Sequence, residues 1–281
     1  MQIIEQTELK NKITTCIDNN ELPKFIIIEG QEGSGRKTIA KFIAKLLCCP
    51  YTEFSTKVED IRSLISLCYS QTSPIVYCIA NGENLSLNAK NALLKVAEEP
   101  PKFATIILTT TGSGMIDTIR SRAVTFTMQP YSEKQLEKYI TDNGLHNDVL
   151  KLANNIGECN ELSTINITEI NDLVDNIITN IHRATIGNCL KLTSKFALKD
   201  DTVGINIKYF VRAFSYKLVE RTLKAKDIKE ASAYNKLLEA LYKANRELST
   251  GYNKSSIMDN LFLTVKEVLD GIIRVSTKNN K

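Results

Sequence analysis

Three short apolar runs stand out in the first half of the chain: Phe25-Ile-Ile-Ile28, Ile75-Val-Tyr-Cys-Ile79 and Thr105-Ile-Ile-Leu108. They are continuous and β-rich rather than alternating, which suits strands buried on both faces of a parallel sheet. Amphipathic stretches at helical spacing lie between them, over residues 36–48 and 86–98. This alternation predicts an α/β layered fold with right-handed crossovers. The pattern changes after Pro130. All six prolines fall at or before it. The proline-free remainder, with Gly144, Gly157 and Gly204 as turn residues, predicts an all-helical tail. Tyr234, Leu237, Leu238, Leu241, Tyr242 and Leu248 share one helical face there. Ile257, Leu261, Val265, Val268 and Ile272 share another, and both read as the core of a helical bundle. The final Ser-Thr-Lys-Asn-Asn-Lys is expected to fray.

Composition narrows the class without deciding it. The 281 residues allow two or three domains, and 43% apolar with 24% charged residues are ordinary globular values. The net charge of +4 is evenly spread, so there is no polybasic tail. That permits nucleic acid nearby without requiring it. No apolar run reaches the ~18 residues of a membrane span, and the first twelve residues hold no hydrophobic signal core, so a cytoplasmic protein with no membrane partner is expected. Seven scattered cysteines, an odd number, read as thiols rather than disulfides. The adjacent pair Cys48-Cys49 lacks zinc-ligand spacing, and His146 and His182 stand alone, so no metal site built from side chains is expected.

The segment from Phe25 to Thr38 reads strand, glycine-rich turn, helix start. Gly30 and Gly35 have the spacing of the phosphate-binding loop G-x-x-x-x-G-K-[ST], and Gly33 adds flexibility. Backbone N–H groups in such a turn, together with the helix dipole, favour phosphate. Two positions depart. Arg36 stands where the phosphate-binding lysine belongs, and Lys37 where the magnesium-binding hydroxyl belongs. Thr38 comes one residue late, about 100° further round the helix. A lysine at the metal-ligand position repels magnesium, and a planar guanidinium is no equivalent of an ammonium. The strand ending at Ile79 is followed by Ala80 and Asn81, where a nucleotide hydrolase needs a magnesium-binding Asp and often a Glu. Glu83 beyond them reads as a solvated loop residue. Two readings stand: a loop that binds ATP weakly without hydrolysing it, or an empty scaffold.

Asn88-Ala-Lys-Asn-Ala-Leu-Leu-Lys-Val-Ala-Glu-Glu-Pro-Pro101 resembles the N-A-L-L-K-x-L-E-E-P-P motif of bacterial DNA polymerase III clamp-loader subunits, with Ala97 in place of the usual leucine. Ile107-Leu-Thr-Thr-Thr111 and Thr118-Ile-Arg-Ser-Arg122 follow at the family's spacing. The latter resembles T-I-x-S-R-C, with Ala123 in place of cysteine. Val58-Glu-Asp-Ile-Arg62 is also similar to a family segment. The resemblance covers roughly residues 24–130, and only loosely the lid beyond. Loss of the lysine, the hydroxyl and both acids resembles the delta-prime subunit rather than the motor subunit. The four-cysteine zinc module of many relatives has no room in the short link Cys48-Cys49-Pro50-Tyr51. A sensor arginine is missing near Gly157-Glu158-Cys159.

The resemblance implies an AAA+ α/β domain over residues 1–130, a helical lid over 131–175 and a helical collar for oligomerisation over 176–281. It also implies a hetero-oligomeric ring with motor (gamma/tau) and delta subunits that places a sliding clamp on primed DNA, within a DNA-directed DNA polymerase holoenzyme. Arg122, supported by Ser121, would reach in trans to the ATP of a neighbouring motor subunit as an arginine finger. Glu98 and Glu99 oppose the dipole at their helix end, which hints at a basic group on another subunit. Two alternatives remain: a self-sufficient ATPase using Lys37 and Thr38, and a non-replicative AAA+ adaptor.

Overall fold

The computed structural model describes residues 6–112, 117–198, 204–248, 250 and 252–278, with side chains as far as residue 272. Two compact units divide the chain: residues 1–144 with 153–161, and residues 145–152 with 162–281.

In the first unit, α1 (Thr7–Asp18) precedes β1 (Phe25–Glu29), α2 (Arg36–Leu46), β2 (Tyr51–Phe54), α3 (Val58–Ser70) and β3 (Ile75–Ile79). There follow α4 (Leu87–Glu98), β4 (Ala104–Thr110), a short α5 (Asp117–Arg120), β5 (Val124–Thr127) and α6 (Glu133–Asp142). The five strands form one sheet in the order β2-β3-β4-β1-β5, and every pairing is parallel. Successive residues of a strand face opposite sides, so β1 feeds two cores. Phe25 and Ile27 pack with Ile61, Leu64 and Leu93 of α3 and α4. Ile26 and Ile28 pack with Ile13, Ile39 and Ile43 of α1 and α2. The expected α/β layering is therefore present, with all three apolar runs as central strands.

The pattern did not predict β2 and β5. Both are four-residue edge strands. Thr52 and Glu53 of β2 face solvent, and only Phe126 of β5 is buried. Neither presents an apolar run. Helix α2 ends at Leu46, two residues early, because Cys48 turns left-handed at φ +50° just before Pro50.

Helices α7 (Asp148–Leu152) and α8 (Ile156–Ser163) follow α6. The second unit holds α9 (Ile167–Asn180), α10 (Ile186–Leu192), α11 (Ile207–Leu223), α12 (Ile228–Leu248) and α13 (Lys254–Lys278). Among its described residues the all-helical expectation holds apart from a single bridge between Phe196 and Ile205. Helix α11 buries Tyr209, Phe210, Phe214 and Leu218, and it packs against both α9 and α12. Phe210 is the hub: its ring lies 4.7 Å from Phe196, 5.6 Å from Phe214 and 6.1 Å from Phe262, all edge-to-face. Tyr234, Leu237 and Leu241 are buried as expected, but Tyr242 points to solvent. On α13, Ile257, Leu261 and Val265 are buried, joined by Met258, Phe262 and Leu269. Val268 and Ile272 are only half-buried. Gly157 is no turn residue; it is the second residue of α8. Of the expected frayed end, residues 276–278 continue α13 instead, and residues 279–281 lie outside the described residues.

All seven cysteines are free, four of them buried and Cys48 exposed. Among the described residues, no helix is long and apolar enough to cross a membrane, and no three His, Cys, Asp or Glu side chains are grouped to hold a metal ion.

Candidate nucleotide loop and finger arginine

Ligands of open parallel sheets sit outside the carboxyl ends of the strands, where connections leave in opposite directions. Here β1 lies between β4 and β5, and a cleft of about 860 Å³ opens at that edge. Residues 32–35 line it. Gly33 at φ +77° and Gly35 at φ +95° take conformations that side chains resist. Gly35 caps α2, so the first N–H groups of an eleven-residue helix face the cleft.

Three consecutive carbonyls of this loop are held by later parts of the same unit. The side-chain amide of Asn155 donates to Glu32 O at 3.0 Å, and the Gly157 N–H donates to Gly33 O at 3.0 Å. The Tyr131 hydroxyl donates to Ser34 O at 3.0 Å. The start of α8 lies so close that a Cβ on Gly157 would meet Gly33 Cα at 2.6 Å. Asn155 also caps α8 by accepting from the Glu158 N–H at 2.9 Å. Sequence reasoning missed Tyr131 and Asn155, because a lone Tyr or Asn carries no periodic signal.

The altered positions have their own partners. Arg36 is only 7% exposed and lies along the cleft wall. Its Nη2 donates to Asn81 Oδ1 at 3.4 Å, and its Nη1 lies 3.6 Å from Glu83 Oε1. That ion pair is too long for a hydrogen bond, so buried Nη1 has no hydrogen-bond partner. Glu83 is therefore not the solvated loop residue expected. Its side chain is 18% exposed, and it also accepts from the Thr111 N–H at 3.3 Å. Glu83 thus sits beside the Arg36 guanidinium. Lys37 turns out of the loop to Glu53 on β2, with Nζ 2.9 Å from Oε2. Burial alone would raise the Glu53 pKa, but hydrogen bonds from Lys37 and Tyr51 outweigh it and hold the carboxyl below its ordinary value. Thr38 lines the cleft, with Thr109 opposite. The Thr109 hydroxyl accepts from the Asn81 N–H at 3.2 Å.

These residues suit a phosphate-shaped loop better than a magnesium site. The hydroxyl position carries a diverted lysine, the strand end carries Ala80 and Asn81, and Glu83 beyond it is paired to Arg36. The cleft's other cationic neighbours are Lys37 and Lys138. Asn160 of α8 also lines it, bonded to the Tyr139 hydroxyl at 2.7 Å.

Arg122 lies apart from this cleft, just after α5. Its Nε donates to Glu98 Oε1 at 3.0 Å, and its Nη2 lies 2.8 Å from the same oxygen in the ion pair. Its Nη1 donates to Thr118 O at 2.9 Å and Ser121 Oγ at 3.3 Å. Glu98 therefore has a basic partner within the chain. Arg120 bonds Glu29 at 2.8 Å and Gly112 O at 2.8 Å, bracing the turn to the end of β1.

Residues 50–132 match the family described as DNA polymerase III, delta subunit. The DNA polymerase III subunit delta' of Bacillus subtilis is 32% identical over 199 residues, covering 57% of this chain and 60% of the relative. The subunit gamma of Buchnera aphidicola from Schizaphis graminum is 27% identical over 206 residues, 60% of this chain and 57% of the relative. The chain spans about half the length of the curated relatives it matches. Among solved structures, a DNA polymerase III gamma subunit-related protein of Thermotoga maritima superposes with a TM-score of 0.53 at 15% identity, over 93% of this chain and 99% of that one. RuvB of the same organism reaches 0.50 at 16% identity, over 79% and 76%. Both likenesses speak to the AAA+ fold alone. The family match and the named relatives make the chain similar to subunits of the DNA polymerase III clamp loader.

Proposed function

We infer that the chain is a delta-prime-like clamp-loader subunit that does not hydrolyse ATP itself. It acts in the cytoplasm, in a hetero-oligomeric ring with motor and delta subunits that loads a sliding clamp on primed DNA. Residues 1–130 form its AAA+ domain, residues 131–175 its lid and residues 176–281 its collar. Arg122 serves the ATP of a neighbouring motor subunit, with Ser121 holding its turn. Any ATP in the chain's own cleft is bound weakly, on the backbone of Gly30, Gly33 and Gly35 and beside Arg36 and Thr38.

One observation carries the reading. Arg36 and Lys37, which replace the lysine and the hydroxyl, are both committed to carboxylates of the chain, Glu83 and Glu53. The cleft is left without a phosphate lysine or a magnesium ligand set, and chemistry at such a site needs both. Exposed Arg122 is the remaining candidate for phosphoryl chemistry, and it stands in the segment matched by the family.

The test is ATP turnover by the purified chain and by the assembly with motor and delta subunits, clamp and primed DNA. The chain alone should be silent. The assembly should turn over, and Arg122→Ala should lower that rate by about tenfold or more with assembly intact, since a trans arginine stabilises charge on the transferring phosphoryl group. Magnesium-dependent turnover by the chain alone, abolished by Lys37→Ala, would overturn the reading.

A further inference from the structure

We propose that Glu98 is a competitor for the finger: it latches Arg122 within the chain, and Arg122 must leave it to grip a phosphate. The proposal rests on the trans role assigned to Arg122 above and concerns how available that side chain is.

A guanidinium has five N–H donors, and a firm grip on a phosphate uses two in parallel. Three hydrogen bonds already engage it in this chain, beside the ion pair with Glu98. Nε and Nη2 meet Glu98 Oε1 at 3.0 and 2.8 Å. Nη1 meets Thr118 O and Ser121 Oγ at 2.9 and 3.3 Å. Each parallel donor pair, Nε with Nη2 or Nη1 with Nη2, thus has a member already bonded, so neither is free for a two-point grip.

The contacts differ in how easily they yield. Thr118 and Ser121 lie within four residues of Arg122 and belong to the same turn. Glu98 comes from the end of α4, 24 positions away in sequence. Its side chain is 52% exposed, and that of Arg122 36%. An exposed carboxylate rehydrates at little cost when its partner leaves. A carboxylate also offers a guanidinium much the same planar pair of oxygens as a phosphate edge, so the two ligands compete for the same donors. The position itself is costly for Glu98, since the C-terminal end of a helix disfavours negative charge. The contact with Arg122 offsets that cost in the isolated chain and is given up when the finger is used.

The test compares half-saturating ATP concentrations for turnover by the complete assembly with clamp and primed DNA. It uses the wild type, Glu98→Gln, Arg122→Ala and the double variant. The glutamine keeps shape and exposure but removes the charge, so folding is preserved; a Glu98→Asp chain, which retains the charge, serves as control. Glu98→Gln should lower half-saturating ATP by roughly two- to fivefold, the size expected of an exposed ion pair. Glu98→Asp should stay nearer the wild type. The gain should vanish when Arg122 is alanine. An unchanged or raised value in Glu98→Gln, while Arg122→Ala still suppresses turnover, overturns the latch and leaves the finger standing. A gain that persists without Arg122 also overturns it, because Glu98 then acts elsewhere. Arg122→Ala without effect removes the finger reading and the latch with it.

Discussion

At the residue scale, the altered loop exchanged external partners for internal ones, and titration should report the exchange. Glu53 is held below its ordinary pKa, so it contributes stability above the unfolded value of 4.5. That contribution is lost as pH falls through the lower, folded value. Acid unfolding followed by circular dichroism should therefore show Glu53→Gln less stable than wild type at neutral pH, with the difference shrinking as pH falls below 4.5. The thiols give a second check. Burial pushes Cys68 up to about 12 and, with the Glu158 charge, Cys159 up to about 11. A disulfide reagent at pH 7.5 should modify exposed Cys48 in the native chain and reach Cys68 and Cys159 only on unfolding. Rapid native labelling of Cys68 would contradict its burial.

At the element scale, α8 depends on a close backbone approach. Gly157→Ala places a methyl carbon 2.6 Å from Gly33 Cα, where only backbone can give way. Overpacking of this kind costs about 1–3 kcal/mol, measurable as a lower urea midpoint. Helix α6 starts in a capping box: Ser132 Oγ accepts from the Gln135 N–H, and Gln135 Oε1 accepts from the Ser132 N–H. Ser132→Ala should cost about 1 kcal/mol by the same assay. Elements with a regular apolar pattern were the legible ones: β1, β3 and β4 follow from continuous runs, and α2 and α4 from helical spacing. The two edge strands were not, because a four-residue strand half open to solvent leaves no run to see. The glycine loop and Arg122 were legible as motifs, while their partners were not. Asn155, Tyr131, Glu83 and Glu98 reach their targets through space, from positions with no fixed sequence offset.

At the scale of the whole molecule, the chain divides into two compact units with separate cores. The aromatic cluster about Phe210 lies wholly in the second. Phe210→Ala should cost about 3–5 kcal/mol there. Calorimetry should record the loss in one component of the unfolding profile, with a calorimetric enthalpy exceeding the van't Hoff value for the whole chain. A single two-state transition that shifts as a unit would contradict that division.

The three held carbonyls also bear on how such loops persist. Gly33 is dictated by its left-handed turn and by Asn155 lying where its Cβ would be, and Gly30 by Ser34 and Met128 packed against it. The lysine and hydroxyl positions of the motif answer to a ligand instead. Fixed from within its own unit, the loop can lose the chemistry while its packing goes on demanding the glycines. Glycine spacing in a chain of this kind is thus a record of how tightly the turn is built in, and only the two residues that follow it speak for the nucleotide.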